Sequence, residues 1–295
     1  MFFINKYILT IGNLDGVHLG HKALINEVIS LSKKRKCSSK VITFNPYPFE
    51  FFKLNKKRIL NQEDKDNIIK GLGIDIIEYI AFDEKIRSLS DHNFFDNFLK
   101  DRTEAIIVGR DFRFGKDRVG DIQSLLKLCS EADIDLIVFN DFEYDQQRVS
   151  SSRVRECLSN SLFEETKKLL GRPYKLTGSV KGGKKIGRKI LSPTANIQID
   201  NHDFCFSGVF LCKCGLEKEK FFGIANFGTK PTFDDHSQSL EVNLFNFSGN
   251  LYDKKLEVEF LCKIRDQIKF NNIEDLKDQI QIDITTAKSL IPNYE

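Results

Sequence analysis

The stretch Tyr7-Ile8-Leu9-Thr10-Ile11-Gly12-Asn13-Leu14-Asp15-Gly16-Val17-His18-Leu19-Gly20-His21 decides how the rest of the chain is read. Its first five residues form an apolar run that predicts a buried strand. Beyond it, Leu24/Val28 and Ile25/Ile29 recur at helical spacing. The glycines and histidines therefore fall in a tight strand-to-helix turn. A helix N-terminus offers N–H groups and the positive end of the helix dipole, a pairing that suits a phosphate. Gly12, Gly16 and Gly20 let the backbone come close to a ligand. His18 and His21, three residues apart in a first helical turn, can face one anion together. Only five histidines occur in the chain, and two of them share this turn with the carboxylate of Asp15. That separates it from an ordinary capped surface turn.

Outward from this turn, the first half alternates strands and helices. Lys40-Val41-Ile42-Thr43-Phe44 predicts a strand that ends at Asn45-Pro46-Tyr47-Pro48. Helical spacing follows from about Glu63 to Leu72, with Ile68, Ile69 and Leu72 inward. Further strands are expected at 76–80, 104–109 and 134–139. Ser90 reads as a helix cap before Phe94, Phe95, Phe98 and Leu99, and Gly120-Asp121 opens another helix. Strand–helix alternation predicts a parallel sheet with right-handed crossovers, and ligands in such sheets bind beyond the carboxyl ends of the strands. His18/His21, Asn45, Asp111 and the serines from Ser150 all fall there.

Near residue 150 the grammar changes. Ser150-Ser151-Ser152-Arg153-Val154-Arg155 opens helical sequence that stops at Leu170-Gly171-Arg172-Pro173, a Gly-then-Pro ending that marks a domain border. The domains are expected at 1–170 and 171–295. Hydroxyls at the head of that helix, with Arg155, suit a second phosphate, although taken alone Ser-Ser-Ser-Arg reads better as a helix cap on a polar surface. From Tyr174, short runs at 175–182, 193–199, 208–214, 220–227, 240–246 and 256–263 alternate with turn residues, as in an antiparallel barrel. A helix from Asn272 to Leu290 closes the chain.

Composition bounds the function. The 295 residues carry 45 Lys and Arg against 42 Asp and Glu, a net charge of +3, which gives no basic platform for nucleic acid. The seven cysteines are odd in number and scattered, with no Cys-x-x-Cys, as expected of reduced thiols in the cytoplasm. No apolar window reaches membrane-spanning length, and the N-terminus lacks the features of a signal peptide.

Three sets of residues together resemble the adenylyltransferase half of the bacterial bifunctional riboflavin kinase/FAD synthetases. They are Gly12-x-x-Asp15-Gly16-x-His18-x-Gly20-His21, Val108-Gly109-x-Asp111-Phe112-x-Phe114-Gly115 and Ser150-Ser151-Ser152-x-x-Arg155. The second half resembles the kinase half in order: Gly178-x-Val180, Gly183, Gly187-Arg188, Pro193-Thr194-Ala195-Asn196, Gly208-Val209-Phe210, Glu241-Val242, Leu251-Tyr252, Arg265 and Asp283. The resemblance spans essentially the whole chain. It implies a Rossmann-like α/β nucleotidyltransferase domain followed by a six-stranded antiparallel β-barrel with a C-terminal helix. It implies ATP, riboflavin and FMN as substrates and Mg2+ as cofactor.

Site residues follow from the same resemblance. His18 and His21 act on the ATP phosphates of adenylyl transfer, within a nucleotide site of Gly12, Asp15, Gly16, Gly20, Ser150, Ser151, Ser152 and Arg155. Gly178, Gly183, Thr194 and Asn196 bind the kinase nucleotide, Thr194 and Asn196 as metal ligands. Glu241 is the base toward the riboflavin 5′-hydroxyl; by itself it reads as an ordinary outward strand residue. Asn45, Asp111, Phe112 and Arg265 contact flavin. The family pattern changes at Tyr47 (usually His), Leu14 (usually Phe), Leu191 (usually Gly), Ser192 (usually Phe), Asn243 (commonly His) and Asp253 (commonly Gly). Two narrower readings stay open: an adenylyltransferase with a weakened kinase half, and a non-catalytic flavin or nucleotide binder. Small molecules are the only partners expected, in a monomer or weak homo-oligomer.

Overall fold

The structure, a computed structural model, describes residues 6–181, 194–199, 203–229, 238–270 and 272–295. Gly183, Gly187, Arg188, Leu191, Ser192 and Pro193, singled out above, lie outside the described residues. The chain divides into two compact units. The first comprises Met1–Lys56 and Lys65–Ser150; the second comprises Lys57–Asp64 and Ser151–Glu295.

In the first unit, β1 (Tyr7–Ile11), β2 (Ser38–Phe44), β3 (Ile76–Ile80), β4 (Thr103–Gly109) and β5 (Asp135–Phe139) form one sheet in the order β3-β2-β1-β4-β5. Every neighbouring pair is parallel, as the strand–helix alternation requires. The central strands are apolar on both sides because helices cover both faces. On one side Leu9, Ile11, Ile42, Ile106 and Val108 pack with Phe94, Phe95, Leu99, Phe114, Leu125 and Leu128. Helix α1 (Leu19–Arg35) follows β1 and buries Leu24, Ile25, Val28 and Ile29, the stripe read from spacing. It ends where Lys36 turns left-handed (φ 57), after Lys33, Lys34 and Arg35 have placed positive charge against the negative end of the dipole. Ser90 caps the helix beginning at Asp91 through a 3.1 Å bond from the Asn93 amide. Asp121 and Ser124 cap the helix over Ile122–Glu131 reciprocally. A small hairpin, β6 (Glu143–Tyr144) with β7 (Gln147–Arg148), was not legible in the pattern.

In the second unit, β8 (Lys175–Lys181), β9 (Ala195–Gln198), β10 (Gly208–Leu216), β11 (Glu219–Thr229), β12 (Gln238–Leu244) and β13 (Lys255–Arg265) close an antiparallel barrel in the order β10-β11-β12-β9-β8-β13. The helical sequence after Ser150 is two helices, Ser151–Ser159 and Phe163–Leu170. The second sends Phe163 into the barrel's aromatic core, where its ring lies 5.7 Å from Phe210 and 5.9 Å from Phe260. Phe163 thus joins the barrel unit, and the two compact units part at 150/151. The C-terminal helix (Ile273–Leu290) buries Ala287 beside Leu211 and Phe245 on the barrel's outer wall.

Candidate functional sites

The turn after β1 is tightly built. Gly16 takes φ 85, and so, more unusually, do two apolar residues adopt positive values, Leu14 at φ 50 and Val17 at φ 38. Left-handed backbone at such side chains costs on the order of 1–3 kcal/mol and persists where the surroundings hold it. Here both side chains are fully buried, and the Val17 amide donates to the Leu14 carbonyl at 3.2 Å. Asp15 is buried within the same turn. The result aims His18 at the head of α1. His18 is the helix cap, its Nδ1 accepting the His21 backbone N–H at 3.3 Å. An accepting Nδ1 leaves the proton on Nε2, a donor suited to an anion. The two imidazoles stack with centroids 3.6 Å apart and 18° between planes. Gly20 makes room for that stack: a Cβ there would sit 3.2 Å from His18 Cε1. Gly12, by contrast, has ordinary space around it.

Beyond the other strand ends of this unit, Asn45 follows β2 and its backbone N–H donates to the Ile80 carbonyl at 3.1 Å. Asp111 follows β4 and is exposed, paired with Arg148 Nη2 at 2.7 Å. Phe112 stacks on Phe114 (5.5 Å, 13°) at the edge of the core. One residue here escaped the sequence reading. Lys65 is 1% exposed, its ammonium over the rings of Tyr47 (4.6 Å) and Tyr79 (4.9 Å) and 3.2 Å from Thr43 Oγ1. Thr43 in turn donates to the carbonyl of Asn13, inside the histidine turn. Lys65 lies four residues before buried Ile69 on one helix face, the only sequence signal of its burial.

Ser150 ends the first unit, and Ser151, Ser152 and Arg155 begin the second. Arg155 donates Nε to the Lys57 carbonyl at 2.7 Å.

On the barrel, Glu241 is the register partner of Asn196 on one side and of Asn226 on the other. Their strand neighbours Leu240, Val242, Ala195, Ile197, Ala225 and Phe227 are buried, so all three polar side chains share the outer face. Thr194, two residues before Asn196, just precedes the strand and is exposed. A hydroxyl and an amide oxygen so placed fit Mg2+, a hard ion that fills its octahedron with water and substrate phosphate oxygens. Among the described residues no group of three or more His, Cys, Asp or Glu is arranged to hold a metal.

Two residues expected in the barrel's ligand sites have structural duties. A Cβ on Gly178 would lie 2.2 Å from the Gln198 carbonyl oxygen, so close strand packing accounts for this glycine. Arg265 gives its guanidinium to Asp283, with Nη2 2.6 Å from Oδ2.

A buried polar cluster in this unit was also missed. Asp64 accepts the Thr177 amide at 2.8 Å and the Asn61 side chain reaches the Thr177 carbonyl at 2.9 Å. Burial pushes the Asp64 carboxyl up to about 6 against the pull of those hydrogen bonds, and pushes Arg172 down to about 10 although Asp64 lies near.

Two family models match in the order of the units: FAD synthetase over residues 3–153 and riboflavin kinase over residues 170–291. The bifunctional riboflavin kinase/FMN adenylyltransferase of Buchnera aphidicola subsp. Schizaphis graminum is 39% identical over 289 residues, covering 95% of this chain and 92% of that protein. Its namesake from Pseudomonas fluorescens is 36% identical over 287 residues, covering 96% and 92%. That of Escherichia coli K12 is 34% identical over 286 residues, covering 95% and 91%. A crystal structure described as a macrolide-efflux protein from Streptococcus pneumoniae superposes with a TM-score of 0.79 at 27% identity, over 99% of this chain and 95% of that one. Among the described residues no helix is long and apolar enough to cross a membrane.

Proposed function

The chain belongs to the bifunctional riboflavin kinase/FMN adenylyltransferase family, and from that premise we propose that it phosphorylates riboflavin to FMN and adenylylates FMN to FAD. The observation that carries this reading is the order of the two family matches, which follows the parallel-sheet unit and then the barrel. We assign adenylyl transfer to residues 1–170 and phosphorylation to residues 171–295, the helices between 151 and 170 packing with the barrel.

In the first reaction a riboflavin 5′-oxygen attacks the γ-phosphorus of ATP and ADP leaves. Glu241 accepts the hydroxyl proton, a role open to a carboxylate within hydrogen-bond reach. Its register pairing with Asn196 supports this, because it puts the base beside a residue suited to the phosphates. Thr194 and Asn196 would hold Mg2+, which supplies positive charge to the phosphate oxygens. In the second reaction a phosphate oxygen of FMN attacks the α-phosphorus of ATP and pyrophosphate leaves. Both reactants are already anionic, so positioning and charge neutralisation carry most of the rate. The Nε2–H of His18, the stacked His21 and the amides at the head of α1 supply it. Ser150, Ser151, Ser152 and Arg155 are assigned to nucleotide phosphate, and Asn45, Asp111 and Phe112 to flavin. All seven cysteines are free thiols, in keeping with a cytoplasmic enzyme acting on small molecules as a monomer or weak homo-oligomer.

The test is incubation of the purified protein with ATP, Mg2+ and either riboflavin or FMN, followed by chromatography of the flavins. FMN and FAD from riboflavin support the full reading. FAD from supplied FMN alone restricts it to adenylyl transfer, and no product from either flavin overturns it.

A further inference from the structure

We propose that Asn226, oriented by Gln267, positions the carboxylate of Glu241 for phosphoryl transfer on the barrel. The proposal rests on the assignment of Glu241 as base. Strand order supplies its geometry. β13 lies beside β10, β10 beside β11, and β11 beside β12. Gln267, just past the end of β13, therefore reaches Asn226 from one side of β11, while Glu241 lies on the other. Gln267 Nε2 donates to Asn226 Oδ1 at 3.0 Å. A primary amide has its acceptor on one arm and its donors on the other. With Oδ1 turned to Gln267, the Asn226 NH2 is turned toward β12, where its register partner is Glu241. Paired side chains on one face of an antiparallel ladder have Cβ atoms about 4.5–5.5 Å apart, within reach of an amide–carboxylate hydrogen bond.

Two features hold Gln267 in place. Gly228, with φ 153, leaves open the space its amide fills, for a Cβ there would lie 2.2 Å from Gln267 Oε1. Arg265 is clamped by Asp283 of the C-terminal helix and donates Nη1 to the Asp266 carbonyl at 2.9 Å, which fixes the segment one residue before Gln267. Helix, Arg265, Gln267 and Asn226 thus form a chain that ends at the register partner of the base.

The test compares Gln267→Ala with Gln267→Glu in the full chain. Alanine frees the Asn226 amide. Glutamate can only accept, so it draws the Asn226 NH2 to itself and turns Oδ1 toward Glu241. Gln267→Ala should lower kcat for FMN formation roughly tenfold and Gln267→Glu on the order of a hundredfold, with the KM for riboflavin within about twofold of the parent. FAD formation from supplied FMN should be unchanged in both, which reports an intact first unit, and the unchanged KM for riboflavin reports an intact barrel. On an Asn226→Ala background the two substitutions at 267 should become equivalent. A merely structural Gln267 would tolerate the isosteric glutamate better than alanine, and that order overturns the proposal. So does a difference between the two that survives on the Asn226→Ala background. Glu241→Gln is run alongside: if it still makes FMN, the assignment of the base fails and this proposal with it. If it is inactive while both Gln267 variants match the parent, the base stands and the proposal alone falls.

Discussion

Asp283 holds Arg265 with both carboxylate oxygens: Nε lies 2.8 Å from Oδ1 and 3.0 Å from Oδ2, and Nη2 lies 2.6 Å from Oδ2. The Asp283 side chain is 4% exposed and also accepts Gln279 Nε2 at 2.9 Å. Removing one partner of a buried pair leaves the other charge without compensation, which typically costs about 3–5 kcal/mol. Asp283→Ala should therefore lower the stability of the barrel by about 3 kcal/mol in urea unfolding. Arg265→Met/Asp283→Leu should recover most of that loss. A double variant as unstable as the single one would show that Asp283 does not act through Arg265.

Gly20 offers a case in which stability and activity part company. It lies inside α1, where alanine is favoured over glycine by up to about 1 kcal/mol. Its Cβ would press on the His18 ring, 3.2 Å from Cε1 and 3.3 Å from Nδ1. Gly20→Ala should leave thermal stability unchanged or slightly raised. FAD formation from FMN should fall, because the ring must move off its cap and its stack with His21. FMN formation, assigned to the other unit, should be unaffected.

The periodicities of 2 and 3.6 carried most of the architecture, since burying one face is what forces them. The strand expected at 208–214 is observed at Gly208–Leu216, and that at 256–263 at Lys255–Arg265. The helix over 163–170 was less legible, because Phe163 belongs to the barrel core and nothing local says which core it fills. Lys65 was lost in a run of charges, Glu63-Asp64-Lys65-Asp66, that reads as a solvated face. Its aromatic partners Tyr47 and Tyr79 come from two other elements. Glu241 and Asn226 look alike in sequence, each an outward polar residue on a strand. Only the pairing of β11 with β12 brings them together. Thr194 and Asn196 were found through the family motif; alternation alone says only that they share a face.

Asp64 should give the protein a pH dependence of uncommon sign. Its carboxyl is raised by burial from the usual 3.8 to about 6, with Glu257 pushing the same way. Between those values the folded state holds a proton that the unfolded chain has released. Stability contributed by this group therefore falls as pH rises through the window from about 4 to 6, and it is fully present below it. At about 1.4 kcal/mol per unit, the whole span amounts to roughly 3 kcal/mol. In Asp64→Asn the new amide still offers an oxygen to the Thr177 N–H and carries no charge to bury. The variant should be less stable than or equal to the parent near pH 4 and more stable above pH 6. A parent-minus-variant difference that stays flat from pH 4 to 7 would show that the Asp64 carboxyl does not titrate differently in the folded and unfolded chain.

His18 has two separable duties, capping α1 and meeting phosphate, and substitutions can divide them. The cap is one bond, Nδ1 to the His21 amide, so its loss in His18→Ala should cost about 1 kcal/mol, too little to unfold the unit. FAD formation should nonetheless fall by on the order of a hundredfold or more, as when a transition-state donor is removed from a preorganised anion site. Asparagine is among the strongest N-caps but places its amide well short of where imidazole Nε2 reaches. His18→Asn should therefore restore stability and leave FAD formation impaired, and His21→Ala should impair it without touching the cap side chain. In each variant FMN formation from riboflavin should persist, because Glu241, Thr194 and Asn196 belong to the other unit. Recovery of FAD formation along with stability in His18→Asn would reduce the stacked histidines to a helix cap. Loss of both activities in any of the three would mean that the two halves do not work independently.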